Sequence, residues 1–248
     1  GTFPVRAAAE VLAGAGSRTV VGQSITALLV ALLAVALLLF GGRLLLAGIA
    51  DYQAEAFLAD WGRTATEPQQ RAWDVAHGAA QRAIDLYPVA DGERLDRLGR
   101  IYSWKQFRQA VAAPAAEDSR RAALDAYRAS LAVRPTWPFT WARLAHSKLY
   151  LQEFDAEFAE ALDQAFVLGP WQIEVNRELS EIGLIAWPKL SPEQQQATLE
   201  SARRVALFSP SEAQRMLKLA QEVGKLLQVC AVLSPELKVS SKLTICPG

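Results

Sequence analysis

Histidine, cysteine and methionine are nearly missing from this chain: two, two and one in 248 residues. His77 and His146 lie far from Cys230 and Cys246, and the cysteines do not form C-x-x-C, so no zinc-ligand spacing exists. Also missing are H-E-x-x-H, G-x-S-x-G and a Gly-Lys-Ser/Thr phosphate loop. Gly14, Gly16 and Gly22 lack the lysine and the preceding strand that a phosphate loop needs. These absences point away from an enzyme and from any bound cofactor or metal. An excess of either charge is lacking too, with 26 basic and 26 acidic residues. No basic stripe is available to neutralise a phosphate backbone, which excludes nucleic acid as an expected partner. Runs of β-branched residues are few, whereas Ala, Leu, Glu, Arg and Gln abound, a composition that favours helix.

What the chain does have is one long apolar run. From Ile25 to Phe40 no side chain is charged, and Thr26 is the one polar residue. A spanning helix needs about 20 mostly apolar residues, and residues 20–46 supply them. The run is longer than the apolar stretch of a cleaved leader. Arg6 and Arg18 precede it, while Asp51, Glu55 and Asp60 follow. The positive-inside rule then keeps the N-terminus in the cytoplasm and sends residues 51–248 across. Arg43 opposes this weakly, because near the end of the span it can snorkel to the headgroups. Gly41-Gly42 is expected to loosen the helix just before it.

Beyond the span, helix signals recur. Thr66-Glu67-Pro68-Gln69 reads as a capping box with proline in the first turn, Pro88 reads as a stop, and the apolar residues from Ala72 to Tyr87 recur at steps of three and four. Ser191-Pro192-Glu193-Gln194 and Ser211-Glu212-Ala213-Gln214 are two further starts, separated by a stop at Ser209-Pro210. The tetratricopeptide repeat (TPR) is a helix pair of about 34 residues. Residues 138–170 resemble it through Trp141, Leu144 and Ala145 on the first helix and Leu162, Ala165 and Pro170 on and after the second. Lys148 stands where tyrosine is usual and Phe158 where alanine is usual. An earlier unit runs through Leu95, Leu98, Gly99 and Tyr102 to Ala123, Tyr127 and Pro135, with about a dozen extra residues near 112–118. A weaker unit follows from Trp171 to Pro210. A pair of this kind cannot bury its apolar face alone, so stacking is expected.

The expected architecture is all-α: a single N-terminal transmembrane helix followed by a TPR-like helical-hairpin solenoid. Its parts would be a cytoplasmic segment 1–19, a transmembrane helix 20–46, a linker 47–65, a repeat domain 66–230 and a tail 231–248. Outside the cytoplasm a Cys230–Cys246 disulfide is permitted and would pin that tail. In this register a concave groove presents Glu93, Asp96, Arg100 and Trp104 from one first helix, and Phe139, His146 and Tyr150 from the next. A mixed aromatic and charged surface of that kind suits a partner's peptide segment. His146 is read as packed or groove-lining rather than as a base. Glu153, Asp155 and Glu157 are read as a solvated face. The seven tryptophans are read mainly as core and helix-junction residues, with sugar stacking as the alternative.

Residues 134–172 resemble a segment of VpsP-like bacterial polysaccharide-biosynthesis proteins. The resemblance rests on Arg134-Pro135, Trp137-Pro138, Trp141, residues 154–158 and residues 168–171, with Val229-Cys230 later on. It implies a small inner-membrane protein with a periplasmic domain, working beside exopolysaccharide export or polymerisation machinery. It implies no activity. The leading expectation is a membrane-anchored scaffold with protein partners. The alternatives are a carbohydrate-binding accessory protein that contacts polysaccharide, and an accessory subunit of an unrelated membrane complex.

Overall fold

A computed structural model describes the backbone of residues 5–235 and 245–246, with side chains from residue 25 onward. The segment 1–19, expected to be cytoplasmic, therefore lies partly outside the described residues, as does most of the tail 231–248. Among the described residues every regular element is a helix. The first, α1 (Val5–Thr64), runs without a break through Gly41-Gly42, so the loosening expected there does not occur. It is long and apolar enough to cross a membrane, and none of its most apolar window is buried.

The linker expected at 47–65 is instead, up to Thr64, the last part of α1. Ala47, Ala50, Ala54, Leu58 and Trp61 are buried on one face. Their spacing of three and four residues is that of an amphipathic helix stripe, and the small alanines let a neighbour approach closely. That neighbour is α2 (Gln70–Leu86), which buries Trp73, Ala76, Ala79, Ala80 and Ala83. The packed domain thus begins at Ala47 rather than at residue 66. The Thr66 capping box does not form. Helix α2 starts at Gln70 with no side-chain cap, and the Thr66 hydroxyl pairs with that of Thr64 at 2.7 Å. Thr66 therefore belongs to the turn that closes α1.

The chain continues through α3 (Gly92–Trp104), α4 (Glu117–Val133), α5 (Pro138–Leu151), α6 (Ala156–Leu168), α7 (Ile173–Ile185), α8 (Pro192–Phe208), α9 (Pro210–Glu222) and α10 (Leu226–Val232). Each helix packs against the next, and α5 also meets α7 while α6 meets α8. The Ser191 capping box forms as expected: its hydroxyl accepts from the Gln194 N–H, and the Gln194 side chain accepts from the Ser191 N–H. Helix α9 begins two residues earlier than the sequence suggests, because Ser209, not Ser211, accepts from the Glu212 N–H. Two glycines mark close helix approaches. A Cβ on Gly99 would lie 2.4 Å from the Tyr127 ring, and one on Gly183 would lie 2.0 Å from the Thr198 hydroxyl.

The core forms three clusters in chain order. The first joins α1, α2 and α3, the second centres on α4 to α7, and the third gathers α8 to α10 with Leu184. Cys230 and Cys246 are joined as a disulfide with Cα atoms 5.7 Å apart, and Ile245 and Cys246 pack against the third cluster.

Candidate partner groove

Four of the seven residues expected in the groove do meet. Arg100, Trp104 and His146 line a cavity of about 340 Å³ together with Ser103, Phe107, Tyr127, Arg143 and Glu178. An adjoining cavity of about 100 Å³ shares Ser103, Phe107 and His146 and adds Tyr150, Arg120 and Ser147. Helices α3, α5 and α7 supply most of these walls, with Phe107 from the turn after α3 and Tyr127 and Arg120 reaching in from α4.

The aromatic side is held by ring contacts. Trp104 meets Phe107 edge-on at 4.5 Å and rests against Trp61 of α1 at 6.2 Å. His146 meets Tyr150 edge-on at 4.8 Å. The Tyr127 hydroxyl pairs with that of Ser103 at 2.9 Å, and burial pushes its pKa up. On the polar side, Arg120 sits 4.9 Å from the Tyr150 ring centre. It donates to the carbonyls of Gln109, Ala110 and Tyr150, which pins the loop of extra residues between α3 and α4.

Two polar atoms on this wall are shut off from solvent and have no hydrogen-bond partner: His146 Nε2 and Glu178 Oε2. Burial, reinforced by the nearby Arg120 charge, pushes the His146 pKa down to about 4. Burial raises that of Glu178 to about 7, against the pull of Arg143. A buried polar group without a partner costs free energy on the order of 1–3 kcal/mol. Such groups are rare in folded proteins and call for a specific explanation.

The other expected groove residues lie elsewhere. Asp96 is buried behind the wall, where it accepts from Thr140 at 2.8 Å and pairs with Arg143 at 2.5 Å. Glu93 faces α1 and joins Arg97 at 3.0 Å. Arg97 also binds Glu55 at 2.9 Å and pairs with Asp51, so this ionic cluster fastens α3 to α1. Phe139 packs beside Trp137 at 5.2 Å, away from the cavity. Two reasons separate them: the packing of α1 on α3 draws the Glu93–Arg97 side towards Asp51 and Glu55, and α5 draws Asp96 to Thr140 and Arg143.

Sequence reasoning missed Glu178 and Phe107, which match no repeat position. It also missed what the acidic residues 153–157 do. They keep a solvated side, Asp155 most of all, but Glu153, Asp155 and Glu157 converge on the buried ammonium of Lys148 at 3.6, 2.8 and 2.7 Å. The tryptophans divide. Trp61 and Trp73 are buried, Trp141 is half-buried with its N–H donating to the Pro135 carbonyl at 2.7 Å, and Trp171 is 90% exposed. Among the described residues no group of His, Cys, Asp and Glu is placed to hold a metal ion. No protein-family profile matches the chain, and no curated protein matches it.

Proposed function

We propose that the protein is a membrane-anchored scaffold whose helical domain holds a segment of a partner protein against the α3–α5–α7 wall. The observation that carries this reading is one concave cavity of about 340 Å³ in which Arg100, Arg143 and Glu178 stand beside the Trp104 and Phe107 rings. A segment seated there would meet these charged residues with its own polar groups and bury its apolar side chains against Trp104 and Phe107. The consecutive packing of α1 to α10 agrees with a TPR-like stack of helix pairs, whose inner helices line a concave surface. The charge asymmetry around residues 20–46 and the Cys230–Cys246 pair favour an inner-membrane anchor with the domain in the periplasm. In that compartment, and given the likeness to VpsP-like proteins, the partner assembly is one that builds or exports exopolysaccharide.

The test is purification of the full chain from bacterial membranes in mild detergent, with the retained proteins identified by mass spectrometry. Wild-type protein should retain a partner chain that a His146→Gln/Tyr150→Ala variant of equal helicity loses. Equal retention by both would place the interface elsewhere. Glycan titration read by tryptophan fluorescence separates the carbohydrate-binding alternative, since a partner-only groove gives no saturable change.

A further inference from the structure

The turns that join α2 to α3, α4 to α5, α6 to α7 and α8 to α9 gather at one end of the helix stack. Their contacts link them in series. Ser130 near the end of α4 donates to the Gly92 carbonyl at the start of α3, at 2.6 Å. Gly169, after α6, packs on Pro138 at the start of α5. Arg204, near the end of α8, lies 6.0 Å from the Trp171 ring before α7. The same end meets α1 where its uncharged run stops, for Arg43 donates to the Asp85 carbonyl in the last turn of α2 at 3.3 Å.

This end carries apolar side chains that no described residue covers. Trp171 is 90% exposed, Val167 70% and Phe208 61%, with Leu207, Val89 and Val133 also exposed. The opposite turns expose far less, chiefly Val111 and, at the start of α10, Leu227. Along α1 the packed domain starts at Ala47, four residues past Arg43. Four residues of helix rise about 6 Å. A headgroup layer is roughly 5–8 Å thick, the difference between the full bilayer and its hydrocarbon core shared between two faces. If α1 spans with Arg43 at the hydrocarbon edge, the near end of the domain lies within the headgroup layer. Leu45, Leu46 and Ile49 on the open side of α1 remain exposed at that same height.

We infer that this end of the domain is a second membrane contact, and that Trp171 with Val167, Leu207 and Phe208 seats in the phospholipid headgroup region. Tryptophan is enriched there because its ring is apolar and its N–H can still meet water or headgroups. Two attachments, a spanning helix and a seated rim, would fix the tilt of the domain and the direction in which the α3–α5–α7 cavity opens.

The inference rests on α1 spanning the bilayer, and the two are tested separately. The full chain is reconstituted alone into phosphatidylcholine–phosphatidylglycerol vesicles whose acyl chains are brominated next to the headgroups. Resistance to alkaline extraction reports α1; release from the vesicles would overturn the spanning reading itself. Bromine quenching of tryptophan emission reports the rim. With α1 retained, wild-type protein should be quenched and Trp171→Phe should lose at least half of that quenching. A Leu207→Ser/Phe208→Ser variant, still retained and still helical, should lose a similar share. Quenching unchanged by Trp171→Phe, or absent from wild-type protein that resists extraction, would overturn the seated rim and leave the patch to another protein.

Discussion

Replacing Lys148 with methionine should destabilise the domain by about 2–3 kcal/mol, chiefly because three carboxylates lose the cation they share. Lys148 is fully buried within α5, with its ammonium 2.7 Å from Glu157 and 2.8 Å from Asp155. Burial by itself would lower its pKa, but the hydrogen bonds to Asp155 and Glu157 prevail and hold it above the ordinary lysine value. Removing one member of a buried ion pair costs roughly 3–5 kcal/mol when the other member is left without a partner. Here the cost is reduced, because Glu157 keeps Arg128 at 2.7 Å and Glu153 keeps Arg121 at 2.9 Å. The pH dependence gives an independent check. Hydrogen bonding from Arg128, with Lys148 adding to it, lowers the Glu157 pKa from 4.5 to about 2. The folded value lies below the unfolded one, so this contribution is complete above pH 4.5 and fades as pH falls towards 2. Denaturant unfolding followed by helix content, measured on the full chain in mild detergent at pH 7 and pH 3, reads both effects. Lys148→Met should lose stability at pH 7 and show a shallower further loss at pH 3 than wild type. A loss under about 1 kcal/mol at pH 7 would mean the cluster behaves like an exposed surface pair, refuting the reasoning.

Glu178→Gln removes a carboxylate whose pKa burial raises from 4.5 to about 7, so wild type should lose stability as pH rises from 4.5 through 7. The variant should match wild type near pH 4 and exceed it at pH 8 by on the order of 3 kcal/mol at most; equal stability at pH 8 would show that Arg143 fully compensates the charge. Reduction of the Cys230–Cys246 bond, or Cys230→Ser with Cys246→Ser, should cost about 3 kcal/mol in the chain-entropy model. Hydrogen exchange should then rise in α10 while α2 to α6 keep their protection; uniform loss along the chain would contradict so local a role.

Much of the fold was legible because it follows from local physics. Residues 20–46 announce a helix long and apolar enough to cross a membrane, whatever they pack against. The Ser191 box and the Pro88 stop follow from backbone chemistry within one turn, and both hold in the structure. Part of the groove was legible for the same reason, since Arg100, Trp104, His146 and Tyr150 share helix faces that their spacing fixes. Other features could not be read this way. Thr66 and Ser191 head equivalent motifs, yet only Ser191 caps, because Thr66 is drawn into the turn ending α1. The stripe from Ala47 to Trp61 lies within the segment expected as a linker. Its alanines succeed only because α2 offers alanines in return.

The sequence by itself determined most of the helical segments and which one is apolar enough to cross a membrane, because propensity, periodicity and hydropathy act over neighbouring residues. Only the tertiary structure decided which charges are neutralised and which polar atoms are left waiting. Glu153, Asp155 and Glu157 meet Lys148 through a chain reversal, and Glu178 reaches the cavity from a helix with no matching repeat signature. Electrostatic energy depends on distance through space and on burial, and neither quantity is written in the order of the residues.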